Sequence, residues 1–302
     1  MKETIREFFG FGELGFTREV EGYMSWQHLT FVTVLMIIMV ACAVYFGRKY
    51  KGGTEEQKNK VLIWTAILID GLELFKIVLH CVDNRDPMGW LDQLPLFLCS
   101  IQLITIPLAA FSKGRVKEAS LDFVSIFGLL GAVLGTYFAG NNYGAYPVIS
   151  FINIVSGLTH SISGFAALYI IIVGMASLKR KNIPIAYIIL SSFAVVAYIA
   201  DILGGYNYMF LMRGDGTPYD IIFSLVGGNP VIYPITVIGL LFVYILVFHL
   251  IFTYFRGVVK AKAQTKNAID TENDYEAKEQ EKNAIESEND SDEKVPETNS
   301  AK

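Results

Sequence analysis

Residues 67–83 read ILIDGLELFKIVLHCVD. Most are apolar, as a membrane-crossing helix requires, yet Asp70, Glu73, Lys76 and His80 recur at spacings of 3, 3 and 4. On a helix this spacing gathers the four on one side. Ionisable groups facing hydrocarbon are costly, so that side has to look into a bundle of helices. Glu73 and Lys76 are placed to pair with each other. The face serves as an ion-pair network that holds the bundle together, as the lining of a polar pocket, or as both.

The rest of the chain supplies the bundle. It has 302 residues, 53% of them apolar, with a mean hydropathy of +0.42. Apolar runs long enough for a membrane helix occur at 26–46, 60–82, 92–111, 118–139, 150–178, 183–204 and 230–255. Residues 206–219 are less apolar and interrupted, and read as a loop or interfacial segment. The expected fold is all-α: a polytopic bundle of seven transmembrane helices within residues 26–256. Residues 1–25 form an extracytoplasmic leader, and 257–302 a basic, then acidic, cytoplasmic tail.

Orientation follows from lysine and arginine in the short loops. Alternate loops and the stretch after the last helix carry fifteen, and the opposite side carries five. This puts the N-terminus outside and the C-terminus in the cytoplasm. The start, MKETIREFFGFGELGF, contains acids and no long apolar core, so no cleavable signal peptide is expected. Ile5, Phe8 and Phe9 suit a short interfacial helix. From Asn267 onward, twelve acids and four lysines give a net charge of −8. Large apolar residues are nearly absent there, so that segment is expected to lack regular structure. Cys42, Cys81 and Cys99 show no disulfide framework.

Two further polar residues lie deep in apolar runs. In LPLFLCSIQL, 94–103, a proline suits the first helical turn, and Cys99 then falls in the first or second turn. The positive end of a helix favours a thiolate there, and Gln102 shares its face. A membrane cysteine on its own is usually inert packing. In IVSGLTHSISGFAAL, 154–168, His160 lies among Ser156, Gly157, Ser163 and Gly164, a small-residue stripe that admits a close neighbour. A hydrogen-bonded structural histidine is the plainer reading of that helix alone. Depth joins the two, because Cys99 is roughly 10 Å and His160 roughly 15 Å below the outer surface at the helical rise. His28, His80 and Asp201 sit at outer helix ends, and Glu73 in the outer half. Asp122 and His249 fall in the inner half.

The stretches SWQHL at 25–29, LPLFLC at 94–99, GLTH at 157–160, NYMFL at 207–211, and GNP at 228–230 followed by Tyr233 resemble the YwaF-like family of bacterial integral membrane proteins. That family is similar to eukaryotic transmembrane protein 164, a cysteine-dependent acyltransferase that makes ether-linked phosphatidylethanolamine. The resemblance implies a multi-pass protein of the bacterial cytoplasmic membrane. It implies Cys99 as acyl-accepting nucleophile and His160 as base, with His28 of SWQHL as a third catalytic candidate.

The function expected is acyl transfer between membrane phospholipids through a cysteine acyl intermediate. A thioester hydrolase differs from it only in admitting water. Gln102 or Asn153 would stabilise the oxyanion. Lys76, or Arg85 in the outer loop, would hold a phosphate. Glu73, His80 and Asn207 complete the substrate-binding candidates. No cofactor, metal, nucleic acid or protein partner is called for. The rival class is a transporter or receptor-like binding protein, in which the acidic face of residues 67–83 would conduct protons. A retinal protein is disfavoured by the absence of a Schiff-base lysine from residues 230–255. Zinc held by His80, Cys81, Cys99 and His160 is disfavoured because adjacent helical residues point about 100° apart.

Overall fold

The computed structural model describes residues 2–11, 15–83 and 87–292. Among these residues all regular structure is helical, with no strand. The chain divides into two compact units, Met1–Phe248 and His249–Lys302. The helices are α1 (Lys2–Phe9), α2 (Trp26–Tyr50), α3 (Glu55–Asp83), α4 (Gln102–Phe111), α5 (Gly114–Tyr137), α6 (Gly140–Ala145), α7 (Phe151–Ile172), α8 (Ile183–Gly204), α9 (Tyr219–Leu225) and α10 (Ile232–Asp292).

Five helical segments are long and apolar enough to cross a membrane: α2, Gly114–Ala145, α7, Arg180–Gly204 and Ile232–Val259. α3 has the length, 29 residues, but it carries Asp70, Glu73 and Lys76. Its side chains sort as the spacing predicts. Trp64, Ile67, Leu68, Leu74 and Phe75 are exposed, whereas Asp70, Glu73, Lys76 and His80 are partly buried. The apolar face is therefore the outer one, as it should be where the solvent is lipid.

The expected span 92–111 is not one helix. A short 3₁₀ turn covers Gly89–Gln93, irregular backbone follows, and α4 has only 10 residues. Pro95 explains the break. It lacks an N–H, and it holds the preceding Leu94 extended, at φ −57 and ψ 142, away from helical geometry. Cys99 accordingly lies in a turn ahead of α4, not in the first or second turn of a long helix. α7 also stops early, at Ile172 rather than 178, because Gly174 takes a left-handed φ of +77 that closes the helix end.

α10 continues to Asp292. The acidic segment is thus helical up to that residue, where its composition led us to expect none, and residues 293–302 lie outside the described part. Between Gly257 and Pro296 the sequence has neither glycine nor proline and is rich in Ala, Glu, Lys and Gln, the residues that favour a helix without tertiary support.

α5 and α7 form the centre of the first unit. α7 packs on α2, α3 and α5, and α4 packs on α3 and α5. The contact between α5 and α7 is close because small residues face each other. A Cβ on Gly128 would lie 2.7 Å from the Ser163 carbonyl oxygen, and one on Gly164 would lie 2.7 Å from the Ala132 Cβ. On the opposite side of α5, buried Asp122 accepts hydrogen bonds from the Ser177 and Leu178 amides, at 2.9 and 2.8 Å, and from Asn182 at 2.6 Å. This carboxylate staples α5 to the turn before α8 and is fully engaged there.

The leader folds back on the bundle. Phe9 of α1 packs on Phe151, with ring centroids 5.0 Å apart, and Phe151 meets Phe75 of α3 at 5.6 Å. The amide and hydroxyl of Thr17 both donate to Glu7, and these bonds hold the Glu7 carboxyl below the usual carboxylate range.

The seam can be tested by adding side-chain atoms to it. Gly164→Val should destabilise the detergent-solubilised protein by about 2 kcal/mol through overpacking. Gly71→Ala, whose added Cβ meets nothing within 4 Å, should stabilise it by about 0.5 kcal/mol through helix propensity. Thermal unfolding of the two variants measures both effects.

Candidate functional site

The turn that carries Cys99 mixes backbone bonds three residues apart with one four residues apart. The Ser100 and Ile101 amides donate to the Phe97 carbonyl, at 3.0 and 3.2 Å, and the Gln102 amide donates to the Cys99 carbonyl at 3.2 Å. The thiol has two polar neighbours within hydrogen-bonding reach: the His160 imidazole and the Ser100 hydroxyl.

His160 arrives from α7. Its Nδ1 lies 2.7 Å from the Ser156 carbonyl oxygen, one turn earlier. A carbonyl can only accept, so Nδ1 carries the proton, and Nε2 keeps a lone pair. The thiol is the donor that lone pair meets. The imidazole is thus oriented by a backbone oxygen and not by a carboxylate.

α5 makes room for the pair. A Cβ on Gly135 would lie 2.0 Å from His160 Nε2 and 1.9 Å from Cδ2, so only glycine lets the ring occupy its position. One turn earlier, a Cβ on Gly131 would sit 3.6 Å from the Cys99 Cβ, an ordinary contact. Our sequence reading passed over α5. The signal was present in GAVLG, 131–135, whose small residues four apart mark a close helix approach.

Cys99 and His160 open onto a small cavity of about 30 Å³, enough for a water molecule. Ile69 and Glu73 of α3 line it on one side, Ser100 and Leu103 on another, and Thr159 and Ser163 of α7 on the third. Lys76 pairs with Glu73 at 2.6 Å, and its charge reaches the imidazole. Gln102 is fully buried. Its carbonyl accepts from the Thr105 hydroxyl at 3.1 Å, while its NH₂ has no partner.

The other expected site residues lie elsewhere and are occupied structurally. His28 is fully buried, accepts at Nδ1 from the Met24 amide at 3.2 Å, and donates from Nε2 to the Thr136 carbonyl at 3.0 Å. With both nitrogens engaged and its ring 4.0 Å from that of Tyr143, it pins α2 to α5 and has no lone pair for catalysis. Asn153 donates to the Tyr146 and Pro147 carbonyls. Asn207 donates to the Arg213 carbonyl and to Asp215. His80 and Cys81 pack near Gly89. Arg85 lies outside the described residues.

Tyr208, a member of the NYMFL stretch, supports the cysteine turn from behind. Its hydroxyl donates to the Leu91 carbonyl at 2.9 Å, and its ring meets Phe97, two residues before Cys99, at 5.1 Å. The next two residues, Met209 and Phe210, hold φ of +53 and +57, a strained state for bulky side chains.

A family model described as the TMEM164 family matches residues 23–255. The match covers most of the chain and every residue of the dyad and its cavity, and the chain belongs to that family. No curated protein and no solved structure matches it.

In protein lacking Cys42 and Cys81, Gly135→Ala should slow modification of Cys99 by a small methanethiosulfonate about tenfold or more, because the displaced imidazole no longer takes the thiol proton. Gly131→Ala, one turn away, should leave the rate within about twofold of the parent, since the added methyl makes only an ordinary contact.

Proposed function

We propose that this membrane protein is an acyltransferase that moves fatty acyl groups between phospholipids through a thioester on Cys99. The observation that carries the reading is the contact between the Cys99 thiol and the lone pair of His160, whose other nitrogen is committed to Ser156. Thiol and imidazole so arranged are the activated-nucleophile pair of covalent catalysis.

His160 takes the thiol proton as sulfur attacks the ester carbonyl of a donor lipid. The carbon–oxygen bond to the glycerol breaks, the lysolipid oxygen leaves with the proton from His160, and the acyl group remains on sulfur. An acceptor lysolipid hydroxyl then gives its proton to His160 and attacks the thioester, and the thiol is restored when the imidazolium returns that proton. The Cys99 N–H, which donates to no backbone carbonyl among the described residues, would serve the tetrahedral oxyanion, and the unpartnered NH₂ of Gln102, three residues on, would join it if its side chain turns to the cavity. A buried donor left unmet costs about 1–3 kcal/mol, which a transition-state oxyanion would recover. Lys76 and Glu73 at the cavity suit a headgroup phosphate and its counter-charge. The small cavity holds the reacting carbonyl and not a fatty chain, so the chain lies toward lipid. Keeping water from the thioester decides between transfer and hydrolysis.

In this reading α3 and α4 also sit within the membrane and complete seven passages. The basic loops face the cytoplasm and the dyad lies toward the outer leaflet of the bacterial plasma membrane. The basic-side loops support that orientation, with fifteen lysines and arginines against five.

Purified protein in vesicles with an isotope-labelled donor phospholipid and an unlabelled lysophospholipid should exchange label and accumulate a hydroxylamine-labile acyl adduct on Cys99. Cys99→Ala should abolish both. His160→Gln should slow exchange by about 10²–10⁴-fold, the usual worth of a general base. Undiminished exchange in Cys99→Ala would exclude the thioester route.

A further inference from the structure

A second lipid-facing feature lies away from the dyad, along α2. An open groove of about 1120 Å³ follows one side of that helix. Its wall is formed by Met36, Val40 and Val44, four residues apart. One end is marked by Thr33 and Tyr137, whose hydroxyls lie 2.9 Å apart and tie α2 to α5. The other end holds Tyr45, Arg48 and Lys49. From Thr33 to Arg48 the helix rises roughly 22 Å, longer than one leaflet's half of a hydrocarbon core about 30 Å thick.

The cations at the basic end set this groove apart from an ordinary lipid-facing surface. Lys58 and Lys60, in the first turns of α3, pair with Glu55 and Glu56 at 2.8 and 3.2 Å. Lys179 and Lys181 share Glu118, at 2.8 and 3.8 Å. Arg48 and Lys49 have no carboxylate partner among the described residues. Lys49 lies 5.8 and 5.5 Å from the ring centres of Tyr45 and Tyr50, which hold it at the groove without cancelling its charge. Two adjacent uncancelled cations at the end of an apolar channel complement a phosphate that carries an acyl chain.

We propose that this groove binds one anionic phospholipid, its phosphate at Arg48 and Lys49 and one chain along Val44, Val40 and Met36. The site is independent of the thioester reading, since it shares no residue with the cavity at Cys99. Arg supplies a planar fork to the phosphate oxygens and Lys a point charge. Neutral lipids of the same chain length fill the channel equally well but leave the two cations unmet, so selectivity rests on the headgroup.

The test places a photo-crosslinking amino acid at Val40 in the full chain. The protein is reconstituted in vesicles of phosphatidylglycerol and phosphatidylcholine with identical chains, and the adduct is identified by mass. The anionic lipid should be captured about tenfold above its share of the mixture. Arg48→Gln with Lys49→Gln should return capture to that share. Lys58→Gln with Lys60→Gln, which removes the same charge from the start of the next helix, should leave it unchanged. Capture that follows vesicle composition in the parent protein would overturn the proposal. So would equal loss in the two double variants, or adducts to peptide from a second copy or from the chain's own tail.

Discussion

The site exists because α5 and α7 approach more closely than ordinary side chains allow. In a membrane the hydrophobic effect does not drive helices together, so packing and interhelical bonds must. The glycines and alanine of α5 provide the packing. Gly128 meets the Ser163 carbonyl and Ala132 meets Gly164, while Gly135 leaves the space the His160 ring fills. The residues that bring the two backbones together therefore also set where the imidazole sits. Moving His160 outward by the width of a methyl group would separate it from Cys99, because the thiol is fixed from another direction by the turn before α4.

Electrostatics explains why the histidine is oriented by Ser156 and not by an acid. A lone carboxylate behind the ring would need its own counter-charge in a medium that solvates ions poorly. A carbonyl oxygen selects the same tautomer with no net charge. Glu73 and Lys76, the charged residues beside the cavity, are paired at 2.6 Å. The pair therefore adds no net charge beside Cys99 and His160.

Much of this was legible in the sequence. The 3, 3, 4 spacing of Asp70, Glu73, Lys76 and His80 announced the inward face of α3, and Cys99 and His160, paired in the sequence reading by depths counted along straight helices, do line one cavity, although Cys99 is not in a helix. Two things were less legible. Pro95 was read as tolerable in a first helical turn, yet it holds Leu94 extended and turns the expected span into a loop and a 10-residue helix. Periodicity could not reveal this, because an apolar loop buried in protein has the same composition as a buried helix. The histidines were the other difficulty. His28 and His160 both belong to apolar runs, and the partners of each nitrogen separate them. His28 has two backbone partners, whereas His160 has one and a thiol. Such partners come from distant segments, Thr136 in one case and Cys99 in the other, and local sequence does not record them.

The irregular backbone at Cys99 also needs an explanation, since unpaired amides away from water are tolerated only where they find partners. Here the bonds to Phe97 satisfy part of the turn, and the NYMFL loop closes it from behind. Tyr208 contacts both flanks, through its hydroxyl at Leu91 and its ring at Phe97, and it is almost fully buried. The strained φ values of Met209 and Phe210 are the cost of bringing that tyrosine around. Asp201 helps to meet it by accepting the Tyr208 amide at 2.7 Å. A nucleophile in a long straight helix would have its own N–H tied into the helical ladder. In this turn the Cys99 N–H donates to no backbone carbonyl among the described residues, so the break that Pro95 introduces leaves a donor on the residue that carries the thiol.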